Sequence, residues 1–181
     1  MTGGSGPTGG KTPKWLPYAL IGTGILGAWL ERQRAALSKQ SEAEQEDPDG
    51  VKEACEEAGK LLEDWEPEEE WDVEDDFRDD LADYLGEQSE WEIKVAPVTE
   101  VGQPDILIGD LLALEVKLNP SKAERDRCVG QCANYAKKWA TWVILITERE
   151  EDQEEMEKQL GSAGLDRVVV HAWVAQEEEQ E

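Results

Sequence analysis

A mixed α/β domain is the fold class this sequence predicts, on three observations. Apolar residues recur with a period of two between Trp91 and Leu118, and at helical spacing between Val51 and Leu85 and again between Ser121 and Lys138. Trp139–Thr147 is an uncharged run rich in Trp, Val and Ile, as suits a strand buried on both faces. The order that results is helix, three strands, helix, strand, then a further helix and strand, with no internal repeat. At 181 residues the chain has room for one domain of ordinary size plus extensions.

Residues 1–14 are Gly, Thr, Ser and Pro with two lysines and read as a disordered N-terminus. Residues 15–30 carry no charge. As a helix they span about 24 Å, short of a hydrocarbon core of about 30 Å. Trp15, Tyr18 and Trp29 nevertheless stand at the two ends, as an interfacial belt requires. This short hydrophobic helix is read as a membrane anchor that leaves the following domain in the cytoplasm. A buried or partner-binding helix is the alternative, which makes the chain cytoplasmic. No small-x-small site follows it for a cleaved signal. Residues 31–50 are a polar linker ending in the turn Asp47-Pro48-Asp49-Gly50.

The domain proper is expected over residues 51–175. Val51, Cys55, Ala58, Leu61, Leu62 and Trp65 mark a first helix, and Val73, Phe77, Leu81, Tyr84 and Leu85 a second, with Gly86 as its stop. Trp91, Ile93 and Val95 alternate with Glu92 and Lys94 in a first strand that ends near Pro97. Gly102–Leu118 reads as a hairpin about Gly109-Asp110. Ser121 and Glu124 form a capping-box signature for a helix reaching about Lys138. Residues 139–147 make a fourth strand, 150–163 a helix, 166–174 a fifth strand and 176–181 an acidic tail.

The net charge is −25, but it is unevenly spread: residues 93–147 hold seven basic and six acidic residues. An acidic shell suits a salt-rich cytoplasm, as in a halophilic source, because at about 1 M salt the Debye length is about 3 Å and self-repulsion is screened. Acidic disorder is the competing reading for residues 41–70. Cys55, Cys128 and Cys132 are odd in number and lack CxxC spacing, which argues against a disulfide framework or a zinc site. The lone His171 sits in the apolar run 168–174 and reads as structural.

Charges interrupt the hairpin's apolar strands at Asp105, Glu115 and Lys117. A buried carboxylate or ammonium is costly unless paired or bound to a metal. Asp105 and Glu115, with the carbonyl of Val116, could ligate Mg²⁺ or Mn²⁺, and Lys117 could orient or deprotonate a water or stabilise phosphate charge. A strict two-residue turn would pair Asp105 with Leu114 and put the carboxylates on opposite faces. A three-residue loop or a bulge is therefore expected, pairing 105 with 115. On the helix that follows, Lys122, Arg125, Arg127, Lys137 and Lys138 could contact a nucleic-acid backbone, as could Tyr135, which shares one polar stripe with Arg127 and Gln131.

Pro104-Asp105, nine residues, then Glu115-Val116-Lys117, followed by Gln131-x-x-x-Tyr135, resembles the motif of the PD-(D/E)XK nuclease superfamily. The resemblance implies a restriction-endonuclease-like αβββαβ core from about Val73 to Thr147, with an extra C-terminal helix and strand. It implies magnesium at Asp105 and Glu115, a catalytic Lys117 and an assisting Gln131. Many members carry a glutamate on the first helix, for which Glu74 is one candidate, and many act as homodimers. The function expected is a metal-dependent nuclease acting on DNA. The rivals are a non-catalytic, membrane-anchored interaction protein and a DNA-binding module of the same fold that does not cleave.

Overall fold

The computed structural model describes residues 14–17, 50–67 and 73–176. Its strands are β1 (Lys14–Pro17), β2 (Ile93–Val95), β3 (Ile106–Ile108), β4 (Leu112–Leu118), β5 (Ala140–Thr147) and β6 (Val169–Gln176). Its helices are α1 (Val51–Asp64), α2 (Glu74–Gln88), α3 (Lys122–Tyr135) and α4 (Glu151–Ser162). The strands form one mixed sheet in the order β1-β6-β5-β4-β3-β2. β4, β5 and β6 are parallel neighbours, connected through α3 and α4; the remaining pairs are antiparallel.

The period-two pattern divides the core into two layers. Leu112, Leu114 and Val116 of β4 and Trp142, Ile144 and Ile146 of β5 pack with Leu62 of α1 and with Phe77, Leu81 and Leu85 of α2. The intervening residues of β5, Val143 and Leu145, meet Cys128 and Cys132 of α3 and Met156 and Leu160 of α4. β5 is buried on both faces, which is why its sequence is a continuous apolar run. Ser121 caps α3 as its sequence signature predicts: the Ser121 N–H donates to Glu124 Oε2 at 2.8 Å, and the Glu124 N–H to Ser121 Oγ at 3.4 Å.

Three elements differ from expectation. Residues 15–17, expected to open an apolar helix, extend β1 along the outer edge of β6. Leu16 precedes Pro17, which disfavours helical backbone, and a proline lacking its N–H is tolerated on an edge strand. The remainder of the expected anchor, residues 18–30, lies outside the described residues, as do most of the linker and the acidic tail. No helix among the described residues is long and apolar enough to cross a membrane. α2 runs through Gly86 to Gln88, and its end is marked by Ser89, whose N–H and hydroxyl both donate to Leu85 O. α3 stops at Tyr135, three residues early, in a turn over 136–138.

The hairpin has the three-residue loop the site requires. Ile106 pairs with Leu114, Leu107 with Ala113 and Ile108 with Leu112, so the loop is Gly109–Leu111 and the register sets Asp105 opposite Glu115. Gly109 and Asp110 both take left-handed backbone, at φ 57° and 55°. Gly109 also lies against Trp91, where a Cβ would come within 2.6 Å of the ring. That ring is fixed by its indole N–H, which donates to Glu57 at 2.8 Å. Gly109→Ala should therefore cost about 2 kcal/mol in urea unfolding. Gly130→Ala on α3, with nothing within 4 Å of the new methyl, should stabilise by about 0.5–1 kcal/mol.

Candidate active site

The site begins as a defect in the sheet. β3 pairs with β4 only as far as Leu114, leaving the far half of that β4 edge without a strand. Two N–H groups on this edge, at Val116 and Leu118, need acceptors from elsewhere. The Val116 N–H donates to Asp105 Oδ2 at 2.8 Å, and the Leu118 N–H points to Glu74 Oε2 at 3.4 Å. Asp105 reaches there because it directly precedes β3. Glu74 reaches there because it opens α2. The opposite edge of β4 is fully laddered to β5.

Lys117 joins these groups. Its Nζ lies 2.9 Å from Glu74 Oε1, 3.0 Å from Glu115 Oε1 and 3.7 Å from Asp105 Oδ2, and it donates to the Val116 carbonyl at 2.5 Å. Glu115 and Lys117 are each 1 % exposed. One carboxylate oxygen, Glu115 Oε2, is buried without a hydrogen-bond partner.

Burial and crowding displace the pKa values. Burial raises the Glu115 carboxyl to about 7, and the neighbouring Asp105 charge adds to this against the pull of Lys117. Asp105 is also raised, chiefly by burial, against Lys117 and its hydrogen bond from Val116. For Lys117, burial works against the charged form, but Glu115, Asp105 and Glu74 together overcome it and hold the ammonium above its ordinary range.

The remaining expected residues fall into three groups. Gln131 is half-buried beside Tyr135, with Nε2 at 3.5 Å from the Tyr135 hydroxyl and a buried, unpaired Oε1. Lys122 and Arg127 are exposed on α3, and Lys138 is exposed just beyond it. Lys122 pairs with Asp126 at 2.8 Å, and Lys138 pairs with Glu100 at 2.9 Å. Arg125 and Tyr135 must be corrected as nucleic-acid contacts. Arg125 is 6 % exposed and is bound to Pro120 O, Asp152 and Glu155, which ties α3 to α4. Tyr135 is buried and its hydroxyl donates to Gln103 O at 2.8 Å, fixing the segment that delivers Asp105. Glu74, one of three acidic residues in α2's first turn, is the site member that spacing alone could not single out.

Comparisons with protein-family models, with curated protein sequences and with solved structures return no match. Among the described residues no three side chains of His, Cys, Asp and Glu converge as a ready metal cage. A divalent cation at this place would rest on two carboxylates, a main-chain carbonyl and water. That donor set is present in Asp105, Glu115 and the Val116 carbonyl on the uncovered edge. The unpaired Glu115 Oε2 and the raised pKa values of two adjacent carboxyls fit a group suited to a cation.

The Glu115 shift fixes a pH dependence. Between about pH 4.5 and 7 the folded chain keeps a proton that the unfolded chain has lost, so this group's contribution falls as pH rises through that window. In EDTA, the stability of wild type relative to Glu115→Gln should drop by about 2–3 kcal/mol from pH 5 to pH 8. Urea unfolding at each pH measures the difference, and a pH-independent difference contradicts the assignment.

Proposed function

We propose that the chain is a magnesium-dependent nuclease of restriction-endonuclease-like fold, hydrolysing phosphodiester bonds in DNA. The observation that carries this reading is the convergence of Asp105, Glu115, Lys117 and Glu74 on the one uncovered stretch of β4. The succession α2-β2-β3-β4-α3-β5, with an antiparallel hairpin followed by a parallel crossover, agrees with the αβββαβ core of that superfamily.

In this reading Asp105, Glu115 and the Val116 carbonyl hold Mg²⁺ or Mn²⁺. When bound, the cation supplies Lewis-acid stabilisation of charge on the phosphate. Lys117 is held protonated by its three carboxylate neighbours. It therefore acts as a hydrogen-bond donor, orienting water and offsetting charge on a phosphate oxygen, and not as the base. In this reading Gln131, whose Oε1 is buried and unpaired beside Tyr135, assists by accepting a hydrogen bond. Lys122, Arg127 and Lys138 supply exposed positive charge for a nucleic-acid backbone, reduced for Lys122 and Lys138 by acidic partners.

One observation favours a non-catalytic reading. The Lys117 Nζ already contacts Glu74, Glu115 and the Val116 carbonyl, as a purely structural ion cluster would require. Cleavage separates the two readings. The full chain should cut DNA in Mg²⁺ and not in EDTA, and Asp105→Asn or Lys117→Ala should lower the rate by at least about a hundredfold. Calorimetry should show a Mg²⁺ or Mn²⁺ site that Glu115→Ala removes. Equal cleavage by all three proteins, or no metal site in the wild type, would leave the structural cluster as the better account.

A further inference from the structure

Arg78 has no role in the scheme above, although its surroundings are unusual. It is the sole cation in α2, a helix that otherwise carries seven acidic residues. It lies one turn beyond Glu74, at the four-residue spacing that puts two side chains on one helix face. Further along that face are Ala82 and Gly86, which look across a shallow groove onto Ile93 and Val95 of β2. Beyond β2 the chain passes through Ala96, whose N–H donates to Asp105 O at 2.8 Å. Arg78 is thus on the side of α2 that borders the Asp105 approach.

Its side chain is only 18 % exposed, whereas its partners Asp75 and Asp79 are 76 % and 60 % exposed. The guanidinium is tucked toward the protein and the two carboxylates hold it from the solvent side. Asp79 Oδ1 accepts from Nε at 2.8 Å and lies 2.8 Å from Nη2, and Asp75 Oδ1 accepts from Nη1 at 2.7 Å. This arrangement leaves one N–H on each terminal nitrogen, two donors of the kind that a phosphate oxygen accepts from.

We propose that Arg78 is a phosphate-contacting residue on the α2 side of the site, gripping the nucleic-acid backbone next to the bond to be cut, with Asp75 and Asp79 positioning its guanidinium. The inference rests on the nuclease reading for its substrate class. It gives the strongly acidic α2 a point at which a polyanion is attracted, across the sheet from the exposed cations of α3.

The test is the salt dependence of binding to a labelled DNA duplex with Ca²⁺ in place of Mg²⁺, using the full chain. Arg78→Gln should weaken binding about tenfold and lower the slope of log K against log salt by about one. Arg78→Lys should keep the slope while losing part of the affinity. Lys52→Gln, which removes an exposed α1 lysine paired with Glu56, should leave both unchanged. In Mg²⁺, Arg78→Gln should raise KM more than it lowers kcat. An unchanged slope in Arg78→Gln overturns the assignment and leaves the nuclease reading standing if wild type cuts. A wild type that binds no DNA also overturns it. A wild type that binds with the expected Arg78-dependent slope but never cuts upholds the contact and overturns the nuclease reading.

Discussion

The structure depends at its centre on an unequal pair of strands. β4 is seven residues long and β3 only three, so β4 carries main-chain donors past the end of its neighbour. In a buried sheet an unpaired N–H costs about 1–3 kcal/mol. Asp105 and Glu74 supply the missing acceptors. Two carboxylates brought to a largely buried edge, with Glu115 beneath them, then require a cation, and Lys117 is that cation. Each polar group is present because of the one before it, so the site cannot be altered at one position without leaving another unsatisfied.

Such a cluster is a poor way to gain stability. Desolvating a charge costs several kcal/mol, and well-packed apolar residues of similar volume are often neutral or better in its place. The neighbouring residues show how readily this chain builds apolar strands: Leu112, Ala113, Leu114 and Val116 are fully buried beside Glu115 and Lys117. A simple cross-strand ion pair would involve one acid and one base. Here one ammonium serves three acids, and one acidic oxygen still lacks a partner. That surplus of acid over base, gathered around a main-chain carbonyl held by the same ammonium, makes the cluster chemically suggestive as well as structurally necessary.

The sequence made the hairpin legible because glycine and aspartate at the turn and charges at fixed offsets in apolar strands are local signals. The three-residue loop followed from requiring Asp105 and Glu115 to share a face, and the observed register has that form. The α3 cap was legible for the same local reason. What stayed hidden depends on distant packing. Glu74 is one acid among several in its turn, and only the docking of α2 distinguishes it from Asp75 and Asp76. Arg125 reads like its neighbours on α3, but α4 brings Asp152 and Glu155 over it and removes it from solvent. Tyr135 is buried by the 96–104 segment, where Gly102 leaves room for its ring: a Cβ there would lie 2.9 Å from it. β1 was missed because its partner strand lies more than a hundred and fifty residues away in sequence.

The acidity of the chain bears on the site through distance, not through the total. Residues 50–92, which include α1 and α2, carry nineteen acidic and three basic residues, whereas 93–147 are nearly balanced. Exposed carboxylates on α1 act on a polyanion through solvent, and at a Debye length of about 8 Å in physiological salt most of that repulsion is lost within a few residues' span. Lys117 and its carboxylates interact across buried contacts that salt screens far less. Raising the salt therefore weakens the long-range repulsion of the acidic layer while leaving the cluster's internal balance almost untouched. The same change weakens attraction by Lys122, Arg127 and Lys138, since every phosphate contact releases counterions. Near the site the opposing charges are few and close, so placement decides the outcome: Lys117, lodged beside Asp105, counts for more there than the five carboxylates of α1.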